Sequence, residues 1–496
     1  MPSFDPGTYR DAKKRRVLFV IPPQRIEEHY GRLADVGARL PWLGLTYVIA
    51  AVRDAGHDVR LVDCEVEDLT VNDLYRIVQE FDPDVIGASA VITNVSRCFA
   101  AMEAAKRAKP EVLTVLGGPQ ITIFPEQALK NPAVDMIVLS EGEITMCEIL
   151  LHLDDPQELG RIPGTWARSN GQVCANPLRD LIDDLDSVPP PALDLFDLSK
   201  YHPAAYIWGK RVLPILSARG CTFSCRFCEA KLTFRRRFRH HSASRIVGEI
   251  KDLMDSYGAD SFQFMDDIFT LKKRRVHELC DKILESGRTF KWSCFTRTDC
   301  IDPGLLAKMR EAGCYLICFG CESGDQKLLD LIDKKLTVEK NRHGIALTRE
   351  SGIKAFSTFM LGLPTETREQ SLMTIDFAVQ SKLDYAIFPI LEPYPGTEIY
   401  QDAIKLGYFL DTAGNRVAHD YEGDKTWVPN GRDRAELEKL SFTAMRRFYL
   451  RPRILLSMAV GMVRNLPTRR LFKLLWGGVK YFLKARRQKV QGGTRY

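Results

Sequence analysis

No uninterrupted apolar run in this chain of 496 residues reaches the ~18–20 residues needed to span a bilayer, which excludes a general membrane-embedded class. Met1–Arg16 is polar and has no apolar core, so no export signal is read there. Without one, the 13 cysteines, odd in number and too sparse for a disulfide-dense scaffold, read as reduced thiols available for metal or catalysis. Repeats of solenoid period and low-complexity tracts are missing as well. Acids are missing from the end: Ser441–Tyr496 holds fourteen Lys plus Arg and no Asp or Glu. The net charge of +6 therefore belongs to the tail, and the rest of the chain is acidic. A cytoplasmic protein is expected, with peripheral contact to a membrane through that tail.

What is present suffices for two to four domains at the usual 100–200 residues each. A content of 45% hydrophobic and 27% charged residues fits globular domains and excludes a disordered or collagenous chain. Short apolar runs at Val17–Ile21, Asp58–Val62, Asp84–Ser89, Val112–Leu116 and Asp135–Leu139 alternate with amphipathic stretches such as Leu43–Ala55 and Val95–Ala108. That rhythm predicts an α/β, doubly wound (Rossmann-like) domain over residues 10–152, with a ligand crevice at the strand ends. Residues 153–210, with Pro189–Pro191 among Asp183, Asp184 and Asp186, read as a linker. A second series begins at Val212, with runs at Val212–Ala218, Ser261–Asp266, Lys291–Phe295, Cys314–Phe319, Lys354–Met360 and Asp384–Ile390. Over 211–410 it predicts a partial (β/α)6 barrel whose chemistry sits at the strand C-termini. Residues 411–496 read as a helical, basic region.

The strongest local signal is Arg219-Gly220-Cys221-Thr222-Phe223-Ser224-Cys225-Arg226-Phe227-Cys228. Three cysteines at spacing x3 then x2, in a loop after a strand, suit iron–sulfur ligation with one iron left open. A zinc site would need a fourth ligand, for which His240 and His241 are the candidates. The same spacing recurs in Cys314, Cys318 and Cys321, but along a strand. At ~3.3 Å per residue Cys314 and Cys318 stand about 13 Å apart, so these read as core thiols.

Cys221, Cys225 and Cys228, with Phe227 before the last, resemble the signature of the radical S-adenosylmethionine superfamily. So do Phe264-Met265-Asp266-Asp267, Thr296-Arg297-Thr298-Asp299, Gly320-Cys321-Glu322-Ser323-Gly324, Phe359 to Thr367, and Glu392-Pro393-Tyr394-Pro395-Gly396-Thr397, in that order after successive strands. The resemblance covers roughly 210–410. It implies a 4Fe-4S cluster on the three cysteines and S-adenosylmethionine contacts at Phe227, Asp266, Asp267, Arg297, Glu322, Ser323 and Gly362. Arg297 and Glu322, charged groups at strand ends, could hold a carboxylate and ribose hydroxyls, or form an internal salt bridge.

Residues 15–152 resemble the cobalamin-binding domain that precedes the barrel in one branch of the superfamily, through Pro41–Leu45, Pro83–Gly87, Leu116-Gly117-Gly118-Pro119-Gln120 and Glu141-Gly142-Glu143. Contacts to cobalamin are implied at Ser89, Thr93, Gly117, Gly118, Pro119, Gln120, Glu141, Gly142 and Glu143. The Asp-x-His-x-x-Gly motif is missing, and neither His29 nor His57 stands in its context. A histidine ligand to cobalt from this domain is therefore not expected.

Arg446 to Arg487 interleaves cations with Phe448, Leu456, Leu475, Trp476 and Phe482, as a helix in an anionic headgroup layer would, or one packed on the barrel. No motif for nucleic acid is found. The run Arg235-Arg236-Arg237-Phe238-Arg239-His240-His241 reads as a solvated face, or as attracting an anionic substrate or membrane.

The resemblance implies an enzyme. An electron donor such as flavodoxin or ferredoxin would reduce the cluster, and S-adenosylmethionine would be cleaved to methionine and a 5′-deoxyadenosyl radical. Cobalamin-dependent C-methylation of an unactivated carbon on an apolar or lipid-like small molecule is the first expectation. Oxidative cyclisation of a porphyrin-type substrate, as in the anaerobic magnesium-protoporphyrin monomethyl ester cyclases, is the second. Methylthiolation would need a second cluster, and Cys64, Cys98 and Cys147 are too scattered. A non-catalytic cluster or cobalamin carrier is the alternative from another class. Cys294, Cys300 and Tyr394 lie near strand ends, where they read as packing, or as groups that could quench or relay the radical.

Overall fold

The computed structural model describes residues 3–10, 12–24, 38–169, 172–204, 206–411, 416–417 and 426–456. β1 (Arg16–Ile21) is central because both of its faces are apolar. Val17, Phe19 and Ile21 enter one core, Leu18 and Val20 another. With β2 (Asp58–Asp63), β3 (Val85–Ser89), β4 (Leu113–Gly117) and β5 (Met136–Val138) it forms a parallel sheet in the order β2-β1-β3-β4-β5. Helices Leu43–Asp54 and Glu143–Leu151 cover one face, Val71–Phe81 and Val95–Ala108 the other. Local chemistry starts the helix Val71–Phe81. Thr70 Oγ1 accepts from the Asp73 amide at 3.2 Å and Asp73 accepts from the Thr70 amide at 2.9 Å, a reciprocal cap.

The stretch expected to be a linker is folded instead. β6 (Thr165–Ser169) and β7 (Gln172–Ala175) extend the first sheet in antiparallel sense beyond β5. After them Leu181, Ile182, Leu185, Val188, Leu193 and Phe196 are buried. Short 3-10 turns at Leu185–Ser187, Leu193–Leu195 and Leu198–Lys200 tuck these apolar residues between the two domains. Their spacing follows neither helical nor strand period, which is why the proline and aspartate content dominated the sequence pattern.

β8 (Val212–Ile215) opens the second sheet. The short antiparallel pair β9 (Ala218–Arg219) and β10 (Arg239–His240) brackets the cysteine loop. Then β11 (Ser261–Phe264), β12 (Lys291–Thr296), β13 (Cys314–Glu322), β14 (Lys354–Phe359) and β15 (Tyr385–Ile387) follow, each parallel to its predecessor, with β11 beside β8. Phe262, Phe264, Phe269 and Trp292 are fully buried under this sheet.

Beyond the barrel, β16 (Gly407–Leu410), β17 (Arg416–Val417) and β18 (Thr426–Pro429) make a small antiparallel sheet. The helix Arg434–Tyr449 then returns to the barrel edge. The Tyr449 hydroxyl donates to Ala386 O at 2.9 Å and accepts from Ala386 N at 3.1 Å, satisfying backbone of the edge strand β15. Two of the tail's arginines serve this docking: Arg447 pairs with Asp376, and Arg451 donates to Val379 O. The expected helical, basic region thus begins as a small sheet and a packed helix. Residues 457–496, which carry most of the expected membrane contact, lie outside the described residues, as does His29. No helix among the described residues is long and apolar enough to cross a membrane.

One buried acid sits where the domains meet. Glu249, on the helix Ala243–Tyr257, is 5% exposed, has no hydrogen bond to either carboxyl oxygen, and approaches Arg245 only to 4.0 Å. Burial pushes its carboxyl up to about 7. Below the ordinary glutamate value it is protonated folded or unfolded. As pH rises through about 7 the fold loses about 3 kcal/mol relative to acid conditions. Glu249→Gln is therefore expected to raise the urea midpoint at about pH 8 and leave it nearly unchanged at about pH 4.5.

Candidate functional site

The cysteine loop is anchored at both ends. Gly220 has φ +85°, and a Cβ there would lie 2.0 Å from Arg237 O, so only glycine lets the loop turn beside β10. The Gly220 amide donates to Asp267 Oδ2 at 2.9 Å. Asp266 accepts from the amides of Ser217 and Ala218 at 2.7 and 3.0 Å and meets Arg275 at 3.2 Å. Farther along, Ser224 Oγ donates to Asp333 at 2.9 Å, and the Arg226 amide to Ile332 O at 3.0 Å.

These contacts bring Cys221, Cys225 and Cys228 to one side of a cavity of about 600 Å3 at the C-terminal ends of the barrel strands. Burial pushes the Cys221 thiol up, and that of Cys228 up to about 12, with Asp267 acting in the same sense. Metal binding must therefore displace protons from buried sulfur. Neither histidine of the zinc alternative lines this cavity: His240 Nδ1 bonds His241 O at 2.9 Å, and buried His241 meets Asp186 at 3.1 Å. The second cysteine set is buried along β13, as expected, although Cys318 also touches the cavity wall. Cys64, Cys98 and Cys147 are buried core thiols.

Of the residues expected to meet S-adenosylmethionine, Phe227, Asp267, Arg297 and Glu322 line this cavity. Asp266, Ser323 and Gly362 do not. Asp266 holds the base of the loop, Ser323 Oγ shares a hydrogen bond with Thr374 Oγ1 at 3.0 Å, and Gly362 lies against Leu437. Arg297 and Glu322 do not pair with each other. Arg297 forms a fork to Asp299, 2.9 Å at each oxygen, and its guanidinium lies 3.8 Å from the centre of the Phe223 ring. Glu322 meets Lys334 Nζ at 3.0 Å and holds φ +65°, a strained backbone for a non-glycine residue at a site. Phe223, Lys334, Arg434 and Ser441 also line the cavity and carried no sequence signal. Lys334 stands in an ordinary-looking Lys-Lys pair, and the last two belong to the returning C-terminal helix. Tyr394 lines the cavity, whereas Cys294 is buried in the core and Cys300 is set against Asp299.

A second, narrower cavity of about 200 Å3 opens at the strand ends of the first sheet. Ser89, Gly117, Gly118, Pro119, Glu141, Gly142 and Glu143 line it, as expected for a crevice at a switch point. Thr93 and Gln120 do not; Gln120 is buried at the start of a short helix, with its amide on Ala90 O at 3.2 Å. Gly118 has φ +100°, and a Cβ would come within 2.6 Å of Ala90 O.

The cavities share a wall, the segment Arg219–Phe234: Arg219, Thr233 and Phe234 face the first domain's cavity and Cys221–Cys228 the barrel's. Its buried end is an ion cluster. Arg219 meets Glu141 at 2.8 Å and Glu143 at 2.7 Å, Arg239 meets Glu141 at 2.8 Å, and the Arg219 guanidinium lies 5.0 Å from the Tyr47 ring centre. Burial alone would raise the Glu141 carboxyl, but Arg219 and Arg239 hold it below its usual range. Arg219→Met leaves Glu143 without its cation and Glu141 with Arg239 alone, and is expected to cost about 3–5 kcal/mol in urea unfolding, part of it recovered when Glu143→Gln is added.

Comparison with known proteins agrees with this geometry. Residues 31–150 match the B12 binding domain family, and residues 215–378 the Radical SAM superfamily. An uncharacterized methyltransferase of Pyrococcus horikoshii is 33% identical over 446 residues, 90% of this chain and 95% of that one. The anaerobic magnesium-protoporphyrin IX monomethyl ester cyclase of Rubrivivax gelatinosus is 28% identical, across 88% of this chain and 77% of that one. The radical S-adenosylmethionine methyltransferase TsrM from Kitasatospora setae, solved with tryptophan and a S-adenosylmethionine analogue, shares the fold at a TM-score of 0.70 and 16% identity, covering 96% of this chain and 100% of that one. The chain belongs to the radical S-adenosylmethionine superfamily, in the group of enzymes that carry a B12-binding domain ahead of the radical domain.

Proposed function

We propose that the protein is a cobalamin-dependent methyltransferase that methylates an unactivated carbon of an apolar or lipid-like small molecule. The observation that carries this reading is the shared wall, which sets a three-thiol cavity against a glycine-lined slot of the first domain. The residues present fit both groups. Three soft thiols at one cavity wall suit a cluster with an open iron. Gly118 lines the slot with backbone alone, in a positive-φ turn packed so closely on Ala90 that a Cβ would come within 2.6 Å of its carbonyl oxygen. A slot of about 200 Å3 would admit part of a corrinoid rather than the whole. When bound, the cluster supplies an electron and a coordination site, and cobalamin a methyl carrier.

In this reading Cys221, Cys225 and Cys228 hold the cluster, and Phe227, Asp267, Arg297, Glu322 and Lys334 hold S-adenosylmethionine. Arg297 offers its charge to a carboxylate while Asp299 keeps its plane fixed, and Glu322 accepts from ribose hydroxyls with Lys334 opposing its charge. Asp266, Ser323 and Gly362 support them from behind. Ile268, Phe295, Phe319, Met360 and Ile390 line the same cavity and exclude water from reactive intermediates. That lining also suits a porphyrin. With a cyclase relative spanning most of the chain, it supports oxidative cyclisation as the second reading. The donor of the electron would be flavodoxin or ferredoxin, and the basic tail would rest on an anionic membrane surface.

The test is anaerobic reconstitution with iron, sulfide and hydroxocobalamin, followed by absorption spectra and 5′-deoxyadenosine measurement with dithionite. Wild-type protein is expected to keep both chromophores and release deoxyadenosine. Cys225→Ala should lose the cluster absorbance and deoxyadenosine but retain cobalamin, and Gly118→Val should do the reverse. An intact cluster with no deoxyadenosine would favour a carrier over an enzyme.

A further inference from the structure

The arginine run after the cysteine loop has no part in the chemistry above, yet the fold spends it unevenly. Arg239 is buried in the ion cluster, Arg235 donates to Arg179 O at 2.5 Å, and Arg237 pairs with Asp183. Arg236 is left exposed and unpaired with any acid among the described residues, its guanidinium 3.3 Å from the carbonyl of Thr222, the exposed neighbour of half-buried Cys221. Arg235 and Arg236 hold φ of +49° and +57°, a conformation non-glycine residues rarely keep in succession. Beside this turn, half-buried Phe238 has Lys272 Nζ 5.6 Å and the Arg275 guanidinium 5.9 Å from its ring centre. Lys272 is exposed and, among the described residues, likewise has no acidic partner. A cationic surface with an aromatic centre thus flanks the place where the cysteine loop reaches solvent.

Reductive cleavage consumes one electron per turnover, and a reductant must deliver it near a cluster ligand. We propose that exposed Arg236, which holds Thr222 O of the cysteine loop, and exposed Lys272, which lies by the ring of Phe238 two residues farther on, form the docking surface for an acidic single-electron carrier protein. This rests on the functional reading above and goes beyond it by naming the surface. One electron leaves the reduced carrier, which is oxidised by one, and reduces the group held by the three cysteines; no bond forms and no proton moves. An acidic protein fits better than a lipid surface because the patch's aromatic ring is wedged between cations rather than protruding toward an acyl layer. Complementary charge would steer the encounter and make it salt-sensitive.

The experiment uses the reconstituted full chain and flavodoxin as the acidic probe. Kd is measured by fluorescence titration at low and physiological salt, and deoxyadenosine formation is driven either by reduced flavodoxin or by dithionite. Arg236→Glu and, separately, Lys272→Glu are expected to weaken flavodoxin binding about tenfold and lower the flavodoxin-driven rate in step. The dithionite-driven rate and cluster absorbance should be unchanged. Lys272 lies away from the loop itself, so its variant keeps the test clean if Arg236→Glu disturbs Thr222. Wild-type Kd in both variants would overturn the proposal. So would unchanged flavodoxin binding with lost binding to vesicles of anionic phospholipid, which would make the patch a membrane surface. A wild-type protein that gives no deoxyadenosine with dithionite, yet binds flavodoxin through these residues, would sink the functional reading and support the docking surface.

Discussion

Two guanidiniums and two carboxylates, buried together between the domains, determine where everything else sits. Arg219 belongs to β9, immediately before the cysteine loop, whereas Glu141 and Glu143 belong to the loop after β5. Desolvating four charges is costly, and the geometry offsets that cost only while the partners remain within hydrogen-bond distance. The cluster therefore acts as a rigid joint. A continuous apolar core that includes Val17 and Phe19 of the first sheet and Phe264 and Phe359 of the second reinforces it. Among the described residues, the two domains share one packed interior.

Charges around the larger cavity follow a similar rule. Arg297 is oriented by Asp299 and by its donation to Lys334 O at 2.8 Å, and Lys334 opposes Glu322. Arg297 and Glu322 each have an opposite charge already in place, so a zwitterionic ligand there would meet preset groups rather than mobile ones. Gly320 belongs to the same arrangement, because a Cβ there would sit 2.3 Å from Glu322 Oε1.

Much of this was legible in the chain. Strands announced themselves by runs such as Val17–Ile21, whose burial on both faces needs no long-range information, and the cysteine triad announced itself by spacing within a loop. Cys314, Cys318 and Cys321 were separable from that triad because a strand spreads what a loop gathers. What stayed hidden depended on partners far along the chain. Lys334 gains meaning only from Glu322, Phe223 from Arg297, and Arg219 from a loop some eighty residues earlier, a separation of 78 residues to Glu141. Motif position also does not give side-chain direction. Asp266 and Asp267 are adjacent, but one braces the loop and the other faces the cavity. Irregular burial hid the folded state of 153–210, since buried residues such as Leu181, Leu185 and Leu193 follow no single period.

The wall between the cavities constrains how such a protein can diversify. Because Arg219–Phe234 is the floor of one chamber and the side of the other, an insertion there would move the thiols and the glycine-lined slot together. The loop after β15 and the C-terminal helix touch the larger chamber alone, through Glu392, Tyr394, Arg434 and Ser441. New substrates are therefore most cheaply accommodated at that far rim, by residues that share no surface with the first domain's cavity. Relatives that keep the radical chemistry while changing its target should vary there first, in length as well as in side chain, and leave the partition untouched.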